Sequence, residues 1–550
     1  MAELSPDAVP CGPEAADGAV SRVAARAAAW REVEAEERAG LLAACARCVT
    51  AVAEEWAARG ARAKGFGDGR ELVAEERLMG PWVVLRHLRL YRKALSHPPV
   101  PRRAPQPDGR TAVRVLPAAP GDRLLFPFHE AVSRLGRDGA PPRRRRGPGG
   151  VAVVLGAGNV SSIPPLDVLW QLLAEDRVVV LKPNPVAAWQ SDLLVRAFAP
   201  LVEAGFLAVV DGGAATGAAL VGHPDVDAVH LTGSAATFDA VVWGVGAAER
   251  ARRKAAGVPL LTKEVTAELG CVTPALVVPG RWRRRDLRNW ARSLVGMRVH
   301  NASFDCNAVQ VLVTARGWPQ RGAFLDEVRR ALRETPVRRA WYPGAEARFH
   351  DLVAAEGSRV ELFGRAPEGA TPWALVPDLP PVAGQRLFAE EAWCGVLAET
   401  AVDAEGPEDF LERAAALCEG AFWGNLSAVV VAPPATPRAA LERALLALRY
   451  GTVAVNTWAG LSFALGSPPW GAFPGNPLED VRSGIGWVHD TPLWDDVERC
   501  IVRAPFRPPF RPGWDPRHRT LEPLSRALCA WEEEPRVRAL PRLAALALRG

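Results

Sequence analysis

The sequence predicts an α/β protein built on parallel, doubly wound sheets. Three observations carry this. Between Val151 and Leu231, short β-branched runs alternate with longer helical stretches, the pattern of strands joined by crossover helices. Three of those strands end in glycine-rich or polar signals, Gly156-Ala157-Gly158-Asn159, Lys182-Pro183-Asn184 and Thr232-Gly233-Ser234. Ligands gather at such carboxyl ends in open parallel sheets. A second strand–helix series then begins after Glu268.

Taken in order, residues 1–20 show no periodicity and read as a loose arm. Val20 to Ala61 is helical in pattern, with Trp30, Leu41, Leu42, Val49 and Val52 spaced along one face. The stretch from Gly65 to Gly69 breaks it, and Glu71 to Leu95 resumes it. Pro98 to Pro107 reads as a linker, Thr111 to Leu116 alternates as a strand does, and Pro117 to Gly121 is a turn. The arginines 143–146 stand between prolines and glycines and read as a solvated loop.

The first alternating series runs through strands at Val151–Leu155, Val178–Leu181, Leu207–Val210 and Ala228–Leu231. Helices are expected at Pro164–Ala174, Ala187–Ala204 and from Gly213. Later strand-like runs are Ala275–Val278, Val309–Val313, Val396–Leu397, Ala428–Val431 and Val453–Val455. Trp470 to Asp490 is a Gly- and Pro-rich loop. Segments fall at 1–110 and 150–267, at 268–465, at 111–149 and 466–504, and at 505–550.

Composition narrows the function classes. The chain has 550 residues, 49% apolar and 23% charged, enough for two or three packed units and unlike a disordered chain. A net charge of +5, spread along the chain, gives no ground for a nucleic-acid partner. No run of about 18 apolar residues exists to cross a membrane, and the opening residues lack the basic-then-apolar pattern of a secretory leader. Nine irregularly spaced cysteines predict free thiols in a reducing, cytoplasmic setting. Cys45 and Cys48 have no second pair at zinc spacing, so they read as packing and no metal site is expected.

One stretch holds the chemistry, Asn301-Ala302-Ser303-Phe304-Asp305-Cys306-Asn307, between a helical run and the strand at Val309. A lone cysteine is by default a small buried hydrophobe. Upstream, however, Glu268-Leu269-Gly270 offers a carboxylate, and a thiol nucleophile with a carboxylate base is a workable acyl-transfer pair.

Lined up, these residues resemble the aldehyde dehydrogenase superfamily, over roughly Trp30 to Val497. The family's turn asparagine and strand lysine appear as Asn159 and Lys182, and its Thr-Gly-Ser turn as Thr232-Gly233-Ser234. Its Glu-Leu-Gly-Gly motif appears as Glu268-Leu269-Gly270-Cys271, and its Asn-x-Gly-Gln-x-Cys motif as residues 301–306. Its Glu-x-Phe-Gly-Pro motif appears as Glu391-Ala392-Trp393-Cys394-Gly395, and its late Ser-Gly-x-Gly as residues 483–486.

The resemblance implies that 1–110 and 150–267 are a Rossmann-type dinucleotide-binding domain, 268–465 an α/β catalytic domain, and 111–149 with 466–504 a small β-hairpin oligomerisation element, leaving 505–550 as a C-terminal extension. It implies oxidation of a small-molecule aldehyde to a carboxylic acid with NAD or NADP. Cys306 would be the nucleophile, Glu268 the base that activates water, and Asn159 an oxyanion donor. Lys182, Gly233, Ser234, Leu269, Glu391 and Trp393 would form the cofactor-binding set. It further implies a β-hairpin, starting at Thr111–Leu116 and closed by Val497–Val502, that projects to pair across a two-fold axis in a homodimer or homotetramer.

The departures mark a divergent branch. Phe238 replaces the second glycine of the Gly-x-x-x-x-Gly pattern, Ser303 and Phe304 replace Gly-Gln, and Gly395 replaces proline. Pro185 stands where NAD users carry a ribose-binding glutamate. Two rivals remain: a CoA-acylating aldehyde dehydrogenase or acyl-CoA reductase, which does not need Glu268, and a catalytically inactive relative acting as a binding subunit.

Beyond Pro505 the resemblance ends. Pro505, Pro508, Pro509 and Pro512 exclude regular structure. Residues 520–550 are amphipathic enough to pack on a neighbouring subunit, lie on a membrane, or fold back on their own subunit as a cover for the substrate entrance.

Overall fold

Two parallel sheets organise the chain, seen in a computed structural model that describes residues 9–67, 69–104, 106, 109–119, 121–136 and 142–550. The first has six strands in the order Gly484–Ile485, Glu264–Glu268, Ala228–Thr232, Gly150–Leu155, Arg177–Lys182 and Leu207–Val209. All pair in parallel except Gly484–Ile485, which runs antiparallel to Glu264–Glu268. Its strands are Val-, Leu- and Ala-rich and mostly buried, as expected of a sheet covered on both faces.

The second sheet has ten strands. From one edge they are Ala112–Leu116, Glu130–Leu135, Val497–Arg503, Thr452–Val455, Ser427–Val431, Thr273–Val277, Val309–Ala315, Val396–Val402, Trp373–Leu379 and Glu361–Phe363. The seven from Val497–Arg503 to Trp373–Leu379 are parallel and carry the catalytic half.

Here the structure corrects the hairpin reading. Ala112–Leu116 and Glu130–Leu135 do pair antiparallel, and Val497–Arg503 does return beside them. They do not project: Val497–Arg503 also pairs in parallel with Thr452–Val455, so the ribbon completes the chain's own catalytic sheet. The apolar face of Val113, Val115, Cys500 and Val502 packs under Leu465 and Trp494 of the same chain. The outer edge is in turn capped by residues 102–104, through Ala104 N–H to Ala112 O at 2.9 Å and Arg114 N–H to Arg102 O at 2.8 Å. Pro141 and residues 137–140 of the expected element lie outside the described residues.

A second correction concerns the amino-terminal arm. Residues 1–8 lie outside the described residues, but Pro13–Ala24 is a helix. Pro13 sits at its first turn, where a missing N–H costs nothing, and Ala16, Ala19, Val20 and Val23 bury one face. The long helix Ala35–Ala63 follows, and Cys45 is buried on it as a packed free thiol.

The C-terminal extension is ordered on its own subunit. Leu521–Glu533 and Leu540–Arg549 are helices, separated where Pro535 interrupts. The first packs on the helices Arg70–Met79 and Pro81–Ser96. Arg86, fully buried, is shared by Asp122 at 3.0 Å and Glu532 at 3.1 Å, and Arg77 donates to Ser525 Oγ at 2.9 Å.

Candidate active site

Glu268 is the last residue of its strand, and burial of its side chain pushes its carboxyl up to about 7. Both oxygens face the Cys306 thiol and the Trp470 indole without a bond of full hydrogen-bond geometry, and the Asp167 carboxylate nearby adds to the upward shift. Two motifs far apart in sequence hold this strand end. Leu269 N–H donates to Ser483 O at 2.7 Å, Ser483 Oγ donates to Gly270 O at 2.9 Å, and Gly484 lies beside Glu268 in antiparallel register. Gly484 has φ +140°, and a Cβ there would stand 2.0 Å from Ala267 O, so only glycine fits.

Cys306 lies half-buried across from this carboxylate. Burial and the charges of Glu268, Glu391 and Asp305 raise its thiol well above the ordinary range. The approach to it is strained: Asn301, Ala302 and Ser303 have φ of +49°, +56° and +75°. Left-handed backbone costs roughly 1–2 kcal/mol per non-glycine residue and persists only where surroundings impose it. Those surroundings are visible. Asn301 Nδ2 donates to Asn159 O, Phe304 O and Asp305 Oδ1 at 3.0–3.1 Å; its Oδ1 accepts from Lys64 Nζ at 2.9 Å, and its N–H donates to Glu75 Oε1 at 2.9 Å. Burial opposes ionisation of Glu75, but Arg338 at 2.7 Å and His300 hold its carboxyl down to about 2.

Asn159 meets this loop directly, donating from Nδ2 to Phe304 O at 2.9 Å. Its amide keeps a second N–H for another acceptor. Phe304 anchors an aromatic cluster with Trp341, Tyr342 and Trp393, at centroid distances of 5.1, 5.6 and 6.0 Å. Trp393 is thus brought beside the thiol stretch.

Of the expected cofactor residues, Lys182, Gly233 and Ser234 lie at carboxyl ends of the first sheet, while Glu391 and Trp393 come from the loop before Val396–Val402 of the second. Gly233 and Ser234 are exposed; Ser234 Oγ caps the helix Ala235–Trp243 by accepting Thr237 N–H at 3.1 Å. Phe238, the departure from glycine, is fully buried and turned into the core, so it leaves the outward face of that helix clear. A Cβ at Gly233 would meet only Leu231 at 3.7 Å, an open approach that fits a dinucleotide pyrophosphate at a helix N-terminus.

Lys182 is buried, with Nζ donating to Pro183 O at 3.1 Å; burial lowers its pKa while the Asp211 carboxylate acts in the opposite sense. Glu391 lies over Gly270, where a Cβ would be 2.1 Å from its Oε2, and burial pushes its carboxyl up to about 8. Leu269 is placed differently from the rest: its side chain is in the core and its N–H is taken by Ser483.

Sequence reasoning missed several neighbours. Asp167 is the sole charge in the otherwise apolar helix Ile163–Leu173, and that was a readable signal. It accepts from Thr232 Oγ1 at 2.9 Å. Asp211, Glu75, Lys64 and Arg338 gave no local signal, since each acts on a partner remote in sequence.

From Cys306 a cavity of about 650 Å³ leads outward between Trp82, Trp290, Trp458 and Phe463 to the C-terminal extension. A thiol facing a buried carboxylate on such a cavity is an arrangement suited to thiol-dependent acyl chemistry. Residues 129–346 match the family described as "Aldehyde dehydrogenase family". A 192-residue segment is 32% identical to 4-trimethylaminobutyraldehyde dehydrogenase of Oryzias latipes, covering 34% of this chain and 34% of that protein, so the match spans about a third of the relative's length.

Among solved structures, an aldehyde dehydrogenase of Mycobacterium tuberculosis complexed with NAD+ aligns with a TM-score of 0.62 at 19% identity, covering 88% of each chain. An NADP-dependent glyceraldehyde-3-phosphate dehydrogenase of Bacillus halodurans complexed with NADP aligns at 0.61 and 17%, covering 90% of this chain and 92% of that one. These likenesses are of fold. Residues 129–346 thus carry the family likeness, and the chain shares the fold of solved aldehyde dehydrogenases.

Proposed function

We propose that the chain is an NAD(P)-dependent aldehyde dehydrogenase that oxidises an aldehyde to a carboxylic acid. The observation that carries this is the Cys306 thiol facing the Glu268 carboxyl, its pKa pushed up to about 7, at the inner end of the cavity. A carboxyl titrating near neutrality is suited to accept a proton from a thiol or a water.

In this reading Glu268 takes the Cys306 proton as sulfur attacks the aldehyde carbon. The second Asn159 amide N–H and the Cys306 backbone N–H receive the developing oxyanion. Lys182, Gly233, Ser234, Glu391 and Trp393 would hold NAD(P)+, which would supply the hydride acceptor. Leu269 contributes by fixing the Glu268 strand end. The acyl group is left as a thioester on Cys306; Glu268 gives up the first proton to solvent and then deprotonates the water that releases the acyl group as the acid. By resemblance we further propose a cytoplasmic homodimer or homotetramer.

The test is purified protein with a panel of aldehydes and each of NAD and NADP, following absorbance of the reduced cofactor. Turnover is expected without CoA, and Cys306→Ala abolishes it while folding and cofactor binding persist. Near wild-type turnover of Cys306→Ala refutes the nucleophile assignment. A strict CoA requirement moves the protein to the acylating class.

A further inference from the structure

The outer wall of the active-site cavity is made by the C-terminal extension. Leu521, Leu524 and Leu528, three and four residues apart on one helix, face it, and Leu543 joins them from the next helix. The wall is tied to the thiol loop through aromatic contacts. Trp458 Nε1 donates to the carbonyl of Asn307, the residue after Cys306, at 3.0 Å, and Trp458 meets Trp514 of the extension edge-on at 5.7 Å.

The wall is also fixed from behind. Arg86 is buried between Asp122 and Glu532, and Arg89 bonds the other Glu532 oxygen at 2.5 Å. A helix held by buried ion pairs on one face and lining a cavity on the other is a permanent part of that cavity.

The volume decides what it holds. A cavity of about 650 Å³ is in the range that takes ligands much larger than an aldehyde of two or three carbons. We propose, resting on the dehydrogenase reading, that the substrate is an aldehyde on a long apolar chain, and that the C-terminal extension is the surface that binds its distal methylenes. Each methylene buried there raises kcat/KM by roughly fourfold until the cavity is full.

The experiment pairs a binding readout with a kinetic one on the full chain. Isothermal titration measures 1-propanol, 1-hexanol and 1-decanol as unreactive probes, and turnover is measured on propanal, hexanal and decanal. Wild type is compared with Leu524→Trp and Leu528→Trp, each checked for folding by circular dichroism. Decanol should bind at least a hundredfold tighter than propanol, and either variant should cut the decanol-to-propanol and decanal-to-propanal ratios at least tenfold. Probe affinity that does not rise with chain length, or ratios within twofold of wild type in both variants, overturns the proposal. Decanol binding as expected with no alkanal oxidised by wild type supports the long apolar ligand and overturns the dehydrogenase reading instead.

Discussion

At the scale of single residues, the behaviour of Glu268 follows from its surroundings. Burial favours its protonated form, so as a base it works only above its shifted pKa of about 7. Thioester hydrolysis should therefore rise with pH up to about 7 and level off above it. Glu268→Gln should lose this inflection and slow hydrolysis by about a hundredfold or more, while the first turnover still gives a burst of reduced cofactor. A full steady-state rate in Glu268→Gln would refute the assignment.

The same shift sets a stability effect of known sign. The fold holds the proton more tightly than the unfolded chain, so ionising Glu268 destabilises the fold as pH rises from about 4.5 through about 7. Glu268→Gln should thus melt higher than wild type at pH 8 and alike at pH 4. Cofactor choice also turns on one side chain. Pro185 removes the carboxylate that would repel a 2′-phosphate, but Asp211 stands within the field of Lys182. Asp211→Asn should shift the NADP-to-NAD ratio of kcat/KM toward NADP by about tenfold, or about 1.4 kcal/mol; an unchanged ratio in steady-state kinetics places Asp211 away from the ribose.

At the scale of elements, the C-terminal helix Leu521–Glu533 is held by charge as well as by apolar contact. Glu532→Ala leaves the buried Arg86 with Asp122 alone and should cost about 3 kcal/mol, read as a lower urea midpoint. A midpoint equal to wild type would mean that the ion pair adds nothing to packing. This helix also shows what the sequence made readable. Its amphipathic spacing was plain from Leu521, Leu524 and Leu528, but which surface it covered was not, because Arg86 and Glu532 lie far apart in sequence and neither carries a local signal. The strands at 151–231 and the motif residues Asn159, Glu268, Cys306 and Glu391 were legible because each carries its signal locally, as a β-branched run or a fixed spacing. The left-handed turn at Asn301–Ser303 was not, since Ala302 and Ser303 have no intrinsic preference for it and are held there by Asn301 and its partners. The helix Pro13–Ala24 was missed because its alanine-rich face gives weak periodicity, and burial of Ala16, Ala19, Val20 and Val23 against the first sheet overrides that.

At the scale of the whole molecule, the ten-stranded sheet decides what remains for a second copy. Its ribbon strands are already paired within the chain, and the Ala112–Leu116 edge is capped by residues 102–104. Assembly through this ribbon, where it occurs, must therefore use side-chain faces. Light scattering on the full chain is expected to give twice or four times the 59.0 kDa mass; a monomer at all concentrations would refute the oligomer. The ribbon has a further consequence, in time. Val132 pairs with Ile501, about 370 positions later. On a ribosome adding roughly 5–20 residues per second, the Glu130–Leu135 strand emerges tens of seconds before the strand that receives it has been made. Through that interval its inner edge is an unpaired template for other chains, so nascent molecules need shielding that the finished protein does not.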